Sequence, residues 1–307
     1  MKPIFTLTGN LLWEKTLTVS DWAPGRTQRA TAESFQVGGK GINVARMLVH
    51  LGAPVTALCF PGGTTGAECI AWLRAKKILF RAFHTAVPTR IGVVVRGGRL
   101  RETTFFSPDQ PPDATALRDC AGFLDARPQR AALAVCGSFP GWDKSPTAPL
   151  RATIDRWLAR ERFLAADTYG PALAWLAARP IDLVKINRHE FDALFPSAAR
   201  RTSVSARLRR ACERWPVQRW IITDGPRPAW FVERNSAVPA SLAPPRVREV
   251  SATGSGDVLL ACVLHALLQC DATLAEAVAF ALPCAAASAA RPGMDGLTAN
   301  KFLKLRS

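Results

Sequence analysis

Short apolar runs alternate with stretches of helical spacing through most of this chain, and each run ends on a polar residue or glycine. "VTALCF" (55–60) reads as a buried strand, and "TGAECIAWLRAKK" (65–77) as the amphipathic helix after it. "IFTLTG" (4–9) and "GINVARMLVHLG" (41–52) make an earlier pair, the helix stopping on Gly52. The order returns in "AALAVCGSFPG" (131–141), "TAPLRATIDRWLARE" (147–161) and "FLAADT" (163–168). Further strands follow at "IDLVKIN" (181–187) and "RWIITDG" (219–225). Strand, helix and strand in succession predict an α/β fold with a mostly parallel central sheet. Such sheets gather ligands beyond the carboxyl ends of their strands. Ser138, Asp167, Lys185, Asn187, Thr223 and Gly225 are therefore expected along one rim.

One segment breaks the alternation. "RIGVVVRGGRLRETTFF" (90–106) is β-branched and aromatic on both sides of Gly97-Gly98, a two-residue hairpin signal. An antiparallel hairpin inside an α/β chain suits a lid over a site, and 16–21 and 30–37 can supply further strands to it. The lid is expected from approximately 12–37 and 90–106, and two long helices at 257–269 and 273–290 close the core. No repeat or linker divides the chain, so 1–307 reads as a single domain.

Composition narrows the class of protein. Hydrophobic residues make up 48% of the 307, enough for a sizeable core. No apolar run approaches the roughly 20 residues of a membrane span. "MKPIFTLTGN" lacks the basic region, apolar core and cleavage site of a signal peptide, so a soluble, cytoplasmic protein is expected. The eight cysteines form no Cys-x-x-Cys pair and the four histidines are dispersed, which leaves reduced thiols and no zinc cluster. The net charge of +16 raises nucleic-acid binding, but the cations fall in scattered groups such as 125–130 and 200–210, with no aromatic-interleaved signature. No nucleic-acid partner and no membrane association are expected.

Several catalytic motifs are absent. Lys40 in "VGGKGINVA" lacks Walker A spacing, "GSGDVL" lacks the third glycine of a dinucleotide fingerprint, and "CGSFPG" is no nucleophile elbow. What remains is "SATGSGDVLLA" (251–261), a glycine-rich turn at the head of an apolar helix. Consecutive small residues let backbone N–H groups converge where the helix dipole is positive, a site for a phosphoryl group. Asp257 is either an acid favoured by that dipole or a base beside the phosphate.

"GGKGINVARMLVHLG" (38–52) together with "SATGSGDVLLA" resembles the two signatures of the ribokinase-like, PfkB-type carbohydrate kinases. "TLTGN" (6–10), "PTRIGVVV" (88–95), "CGSFPG" (136–141) and "LVKINRHEF" (183–191) are similar to further stretches of that family, in order. The resemblance points to the 1-phosphofructokinase and tagatose-6-phosphate kinase branch. It implies a three-layer α/β/α fold with a small β lid, and ATP-dependent phosphorylation of a hydroxyl on a hexose phosphate. Fructose 1-phosphate, fructose 6-phosphate and tagatose 6-phosphate are the acceptors it suggests. An unphosphorylated sugar or nucleoside as acceptor, or a non-catalytic sugar- or nucleotide-binding protein, remain the alternatives.

By the same resemblance, Asp257 is the base and the amides of Gly254, Ser255 and Gly256 form an anion hole. Gly38, Gly39 and Asn43 lie against the sugar, Lys40 assists an anionic acceptor, and Arg90 and Ser138 meet the acceptor's phosphate. Lys185, Asn187 and Glu190 handle the ATP phosphates and hydrated Mg²⁺, and Thr223 and Gly225 border the nucleotide. Simpler readings stay open: a tight turn for the paired glycines, a solvent-facing lid arginine for Arg90, and a helix-start acid for Glu190. Four departures stand out. Leu11 and Glu14 replace the proline and aspartate of the opening strand, and the longer side chain moves the carboxylate by roughly 1–1.5 Å. Gly92 replaces an asparagine, "SPDQPP" replaces a Pro-Gly-Pro-like stretch, and Cys262 replaces a glycine. All but the last fall on the acceptor side, which implies an altered acceptor. Exposed lid edges make a homodimer through the lid an expectation.

Overall fold

The structure is a computed structural model and describes residues 1–20, 22–97, 100–196, 202–236 and 238–291. Of the basic group at 200–210, residues 200 and 201 lie outside that set, as does Gly98 of the hairpin turn. The chain opens with β1 (Ile4–Thr8), β2 (Leu12–Thr18), β3 (Ala32–Gly38), α1 (Lys40–His50), β4 (Val55–Cys59), α2 (Gly63–Ala75) and β5 (Phe80–Ala82). Next come β6 (Arg90–Gly97), β7 (Leu100–Phe106), α3 (Ala114–Asp125), β8 (Ala132–Cys136), α4 (Ala148–Ala159), β9 (Leu164–Asp167) and α5 (Gly170–Ala177). The remainder holds β10 (Leu183–Asn187), α6 (Arg188–Ala193), α7 (Val204–Arg214), β11 (Arg219–Asp224), β12 (Arg227–Glu233), β13 (Ala240–Leu242), α8 (Ser255–Gln269) and α9 (Leu274–Ala289).

Among the described residues, nine strands form one sheet in the order β13-β12-β11-β10-β9-β8-β1-β4-β5. Pairing is parallel from β11 to β5, with β12 and β13 added antiparallel at the edge. The central strands are buried on both faces, and their alternation sorts side chains into two cores. In β8, Ala132, Ala134 and Cys136 face one core while Leu133 and Val135 face the other. Helices α1, α2, α8 and α9 cover the first core, and α3 to α7 the second. This is the three-layer α/β/α arrangement.

Helix α8 is apolar almost all round because it is enclosed almost all round, with Val258 to Leu264 buried. Cys262 belongs to this packing, its thiol meeting Cys284 of α9. All eight cysteines are free, and seven are buried. Among the described residues, no helix is long and apolar enough to cross a membrane.

The lid is a second sheet of order β3-β2-β6-β7. Strand β2 starts at Leu12, ahead of the segment expected at 16–21, because both neighbours extend that far: Leu12 pairs with Gly38 and with Arg90. That register brings Glu14 into the lid, directly beside Gly92. Leu12, Glu14 and Thr16 are buried, and the intervening Trp13, Lys15 and Leu17 form a half-buried outer face.

Candidate active site

The carboxyl ends of β8, β9 and β10 meet α1 and α8 around one buried carboxylate. Asp167, the last residue of β9, accepts from Lys185 Nζ at Oδ2 and from Lys40 Nζ at Oδ1, each at 2.7 Å. Lys185 alternates with Val184 and Ile186, whose side chains lie in the second core, so it faces the opposite layer where α8 begins. Lys40 reaches Asp167 from the first residue of α1 and also donates to Glu190 Oε1 at 3.1 Å. Burial drives the Asp167 carboxyl upward, yet Lys185 and Lys40 more than offset this and hold it below the usual carboxylate range. Burial likewise opposes the Lys40 ammonium, but Asp167, Glu190 and Asp257 raise it above the ordinary lysine value. Both lysines have fixed partners.

The glycine-rich turn closes over this cluster. Gly254, with φ of 83°, takes the left-handed conformation at the start of α8. A Cβ on Gly256 would lie 2.8 Å from Lys185 Nζ, so glycine lets the helix start approach the lysine. Asp257 is buried, and its Oδ2 accepts from Asn43 Nδ2 at 2.8 Å, across the gap to α1. The side chain therefore bridges two helices, a placement that capping its own helix does not require. Burial and the Asp167 charge push the Asp257 carboxyl up to about 6, against the pull of Lys40, Lys185 and the Asn43 bond. A carboxyl in that range can accept a proton near neutral pH and later return it.

Two cavities flank the cluster. The first, about 340 Å³, is bordered by Ser255 and Gly256 of the turn, Thr223 and Gly225 at the end of β11, and the apolar Leu259 and Val247. The second, about 430 Å³, lies under the lid and is bordered by Gly39, Lys40, Arg90, Asp109, Ser138 and Tyr169 among others. Asn187 and Glu190 form a reciprocal cap at the head of α6: the Asn187 side chain accepts from Glu190 N, and Glu190 Oε2 accepts from Asn187 N, each at 2.9 Å. Glu190 is thus a helix-start acid whose other oxygen meets Lys40. Thr223 Oγ1 is 3.5 Å from the Ile186 carbonyl oxygen. Gly38 packs against Leu12 and Glu14, and the Glu14 carboxylate accepts from Gln36 within the lid.

The acceptor-side departures form one connected patch. A Cβ on Gly92 would meet Phe106 at 3.1 Å and Leu12 at 3.0 Å, so the Phe106 ring fills space that a side chain at 92 would need. The Arg90 guanidinium stacks on that ring, 4.9 Å from its centroid, and donates to Asp109 at 2.8 Å. Asn10 donates to both Asp109 and Ser138, each at 2.8 Å. Arg90 Nε and Thr8 Oγ1 are buried without a partner among the described residues, and both residues border the cavity.

Sequence reading placed Asp167 on the rim but gave it no role, and it passed over Asn10, Asp109 and Glu102. Glu102 of β7 accepts from Thr253 Oγ1 at 2.9 Å and from Ser251 Oγ at 3.4 Å, tying the lid to the glycine-rich turn. Its Oε2 also accepts from Arg96 Nε at 2.5 Å. The one available signal was Asp109, an acid inside the altered "SPDQPP" loop.

Similarity to known proteins converges on the same chemistry. The family described as pfkB family carbohydrate kinase matches residues 11–299. A 1-phosphofructokinase of Xanthomonas campestris pv. campestris is 33% identical, covering 88% of this chain and 86% of the relative. The ATP-dependent 6-phosphofructokinase isozyme 2 of Escherichia coli is 28% identical over 95% of this chain and 94% of its own length. The crystal structure of Escherichia coli phosphofructokinase-2 in complex with fructose-6-phosphate superposes with a TM-score of 0.85 at 26% identity, covering 99% of this chain and 98% of that one. A glycine-rich helix start, a raised carboxyl beside it and these relatives agree, and the chain belongs to the pfkB family of carbohydrate kinases as an ATP-dependent sugar kinase.

Proposed function

We propose that this kinase transfers the γ-phosphate of ATP to a hydroxyl of a phosphorylated hexose, with Asp257 as the base. The observation that carries the proposal is the position of Asp257. Its raised carboxyl adjoins Gly256, which borders one cavity, and senses Lys40, which borders the other. The nucleotide takes the cavity bordered by Thr223 and Gly225, and the hexose phosphate takes the one under the lid. The acceptor hydroxyl gives its proton to Asp257 as its oxygen attacks the γ-phosphorus in line, and ADP departs. Lys185 and the amides of Gly254, Ser255 and Gly256 stabilise charge on the transferring group. The Ser255 amide donates to the Ala252 carbonyl at 3.2 Å, a bond it exchanges for the ligand. Arg90 and Ser138 hold the acceptor's own phosphate, while Gly38, Gly39, Asn43, Lys40 and Glu14 shape the sugar site.

Among the described residues no group of three or more acidic, histidine or cysteine side chains could cage a metal. We propose further that Mg²⁺ enters on the nucleotide phosphates, with Asn187 and Lys185 at the phosphates and Glu190 contacting the ion through water. We also propose one cytoplasmic catalytic domain over 1–307, with 12–37 and 90–106 as its lid. Ile91 and Phe105 are exposed apolar residues of that lid and support pairing with a second copy. A solution mass of one protomer would remove the dimer. The main test is ADP release across a panel of hexose phosphates, free sugars and nucleosides. Turnover of a phosphorylated hexose is expected. Ordinary turnover of fructose 1-phosphate, fructose 6-phosphate or tagatose 6-phosphate removes the altered acceptor, and a clear preference for free sugars or nucleosides overturns the acceptor class.

A further inference from the structure

One oxygen of Asp109 already holds the position an anionic ligand would take on Arg90. Its Oδ1 accepts from Arg90 Nη1 and from Asn10 Nδ2, both at 2.8 Å, and Asn10 Nδ2 also reaches Ser138 Oγ at 2.8 Å. A carboxylate oxygen with two donors is a fair copy of a phosphate oxygen in the same place. The loop presenting it is fixed at both ends. Ser107 N donates to the Ile91 carbonyl and Ile91 N donates to Ser107 Oγ, while Asp113 accepts from the amides of Ala86, Thr115 and Ala116. Pro108, Pro111 and Pro112 restrict the backbone between.

The two partners differ in their freedom. The Asp109 side chain is 48% exposed, whereas that of Arg90 is 15% exposed and stacked on Phe106. Rotation of one side chain into water therefore frees the guanidinium, with no movement of the loop. A sugar phosphate that binds Arg90 while Asp109 stays in place meets a like charge, which disfavours binding. A free sugar meets no such repulsion.

Resting on the reading of Arg90 and Ser138 as ligands of the acceptor's phosphate, we infer that Asp109 is a specificity-determining residue. It is an internal counter-ion of Arg90 that a phosphorylated hexose displaces, and it lowers the preference for phosphorylated over free sugars. The aspartate accounts for the altered "SPDQPP" loop as a change of selectivity on an unchanged phosphoryl-transfer apparatus.

The test measures KM for the hexose phosphate of highest turnover and for its free parent sugar in Asp109→Asn and Asp109→Ser, at saturating ATP, with thermal unfolding to verify folding. The expected result is a fall of about tenfold in KM for the hexose phosphate, equivalent to about 1.4 kcal/mol. No comparable fall is expected for the free sugar or for ATP, nor when Asp109→Asn is made in an Arg90→Ala background. An unchanged or higher KM for the hexose phosphate in both folded variants overturns the inference. If Arg90→Ala raises that KM but neither Asp109 variant lowers it, Asp109 alone is misassigned. If Arg90→Ala leaves it unchanged, or only free sugars turn over, the underlying reading of Arg90 fails and the inference falls with it.

Discussion

On the donor side Asp167 is fully buried between Lys185 and Lys40, each 2.7 Å away; on the acceptor side Asp109 meets Arg90 at 2.8 Å with half its side chain in water. The bond lengths are nearly equal, but the energetics are not. Removing one partner of a buried pair strands a charge and costs about 3–5 kcal/mol, whereas an exposed pair contributes about 0–1 kcal/mol. The donor side is set into strand ends and the head of α8, where removing one member of a buried charge pair is costly. The acceptor side stands on lid strands and a proline-rich loop, where side chains can change at little cost to the fold. Of the departures from the family pattern, the 107–112 loop is the adjustable one, whereas Leu11 belongs to the first core, Glu14 is buried and Gly92 is closed in by Leu12 and Phe106.

The sharpest way to break this contrast is Asp257→Asn. Turnover should fall by about two to four orders of magnitude, as for loss of a general base, with ATP binding retained. Near-normal turnover would show that the donor side does not depend on this carboxylate. In the parent enzyme, turnover should decline as pH drops below about 6, where Asp257 takes up its proton. The same variant should be more stable. A carboxyl raised from 3.8 to about 6 on folding stabilises the fold fully below the unfolded value and loses that contribution as pH rises through about 6. At pH 8 the ionised side chain is a burden, so the neutral amide should gain on the order of 1–3 kcal/mol. The gain should vanish near pH 4. A lower melting temperature at pH 8 would contradict the burial of charge argued here.

Arg90→Ala probes the adjustable side. It should raise KM for the hexose phosphate by about one to two orders of magnitude, as for loss of a charged hydrogen bond of about 1.5–3 kcal/mol. Melting temperature should barely move, because the Arg90 pair is partly exposed. A large loss of stability would place Arg90 among the structural charges and erase the contrast between the two sides.

How far the sequence could be read follows the same division. Strands β1, β4, β8, β9, β10 and β11 were legible because burial on both faces leaves continuous apolar runs ending at the rim. The glycine-rich turn was legible because only small residues allow Gly256 to approach Lys185. Asp257 was ambiguous in sequence, since a helix-start acid and a buried base look alike until Asn43 is seen across from it. The lysine–aspartate cluster was harder still. Lys40, Asp167 and Lys185 lie on three separate elements, and no local pattern reports that they share one carboxylate. Asp109 and Glu102 sit in a loop and on a lid strand, where an acid is ordinarily solvated.

Glu102 offers the smallest effect and the finest test of whether the two sides are separate at all. It belongs to the lid, yet it accepts from Thr253 and Ser251 just before the glycine-rich turn. A lid that settles over an acceptor would thereby also settle the loop that holds the nucleotide phosphates. One hydrogen bond of ordinary strength contributes about 0.5–1.5 kcal/mol, so Glu102→Ala should raise KM for ATP by roughly two- to tenfold. The loss should be larger at saturating acceptor, when the lid is engaged, than at low acceptor concentration. Faster amide exchange at 251–256 should accompany it, read by hydrogen–deuterium exchange. An unchanged ATP KM with unchanged exchange would mean that the two sides act independently, and that the lid reports only on the acceptor.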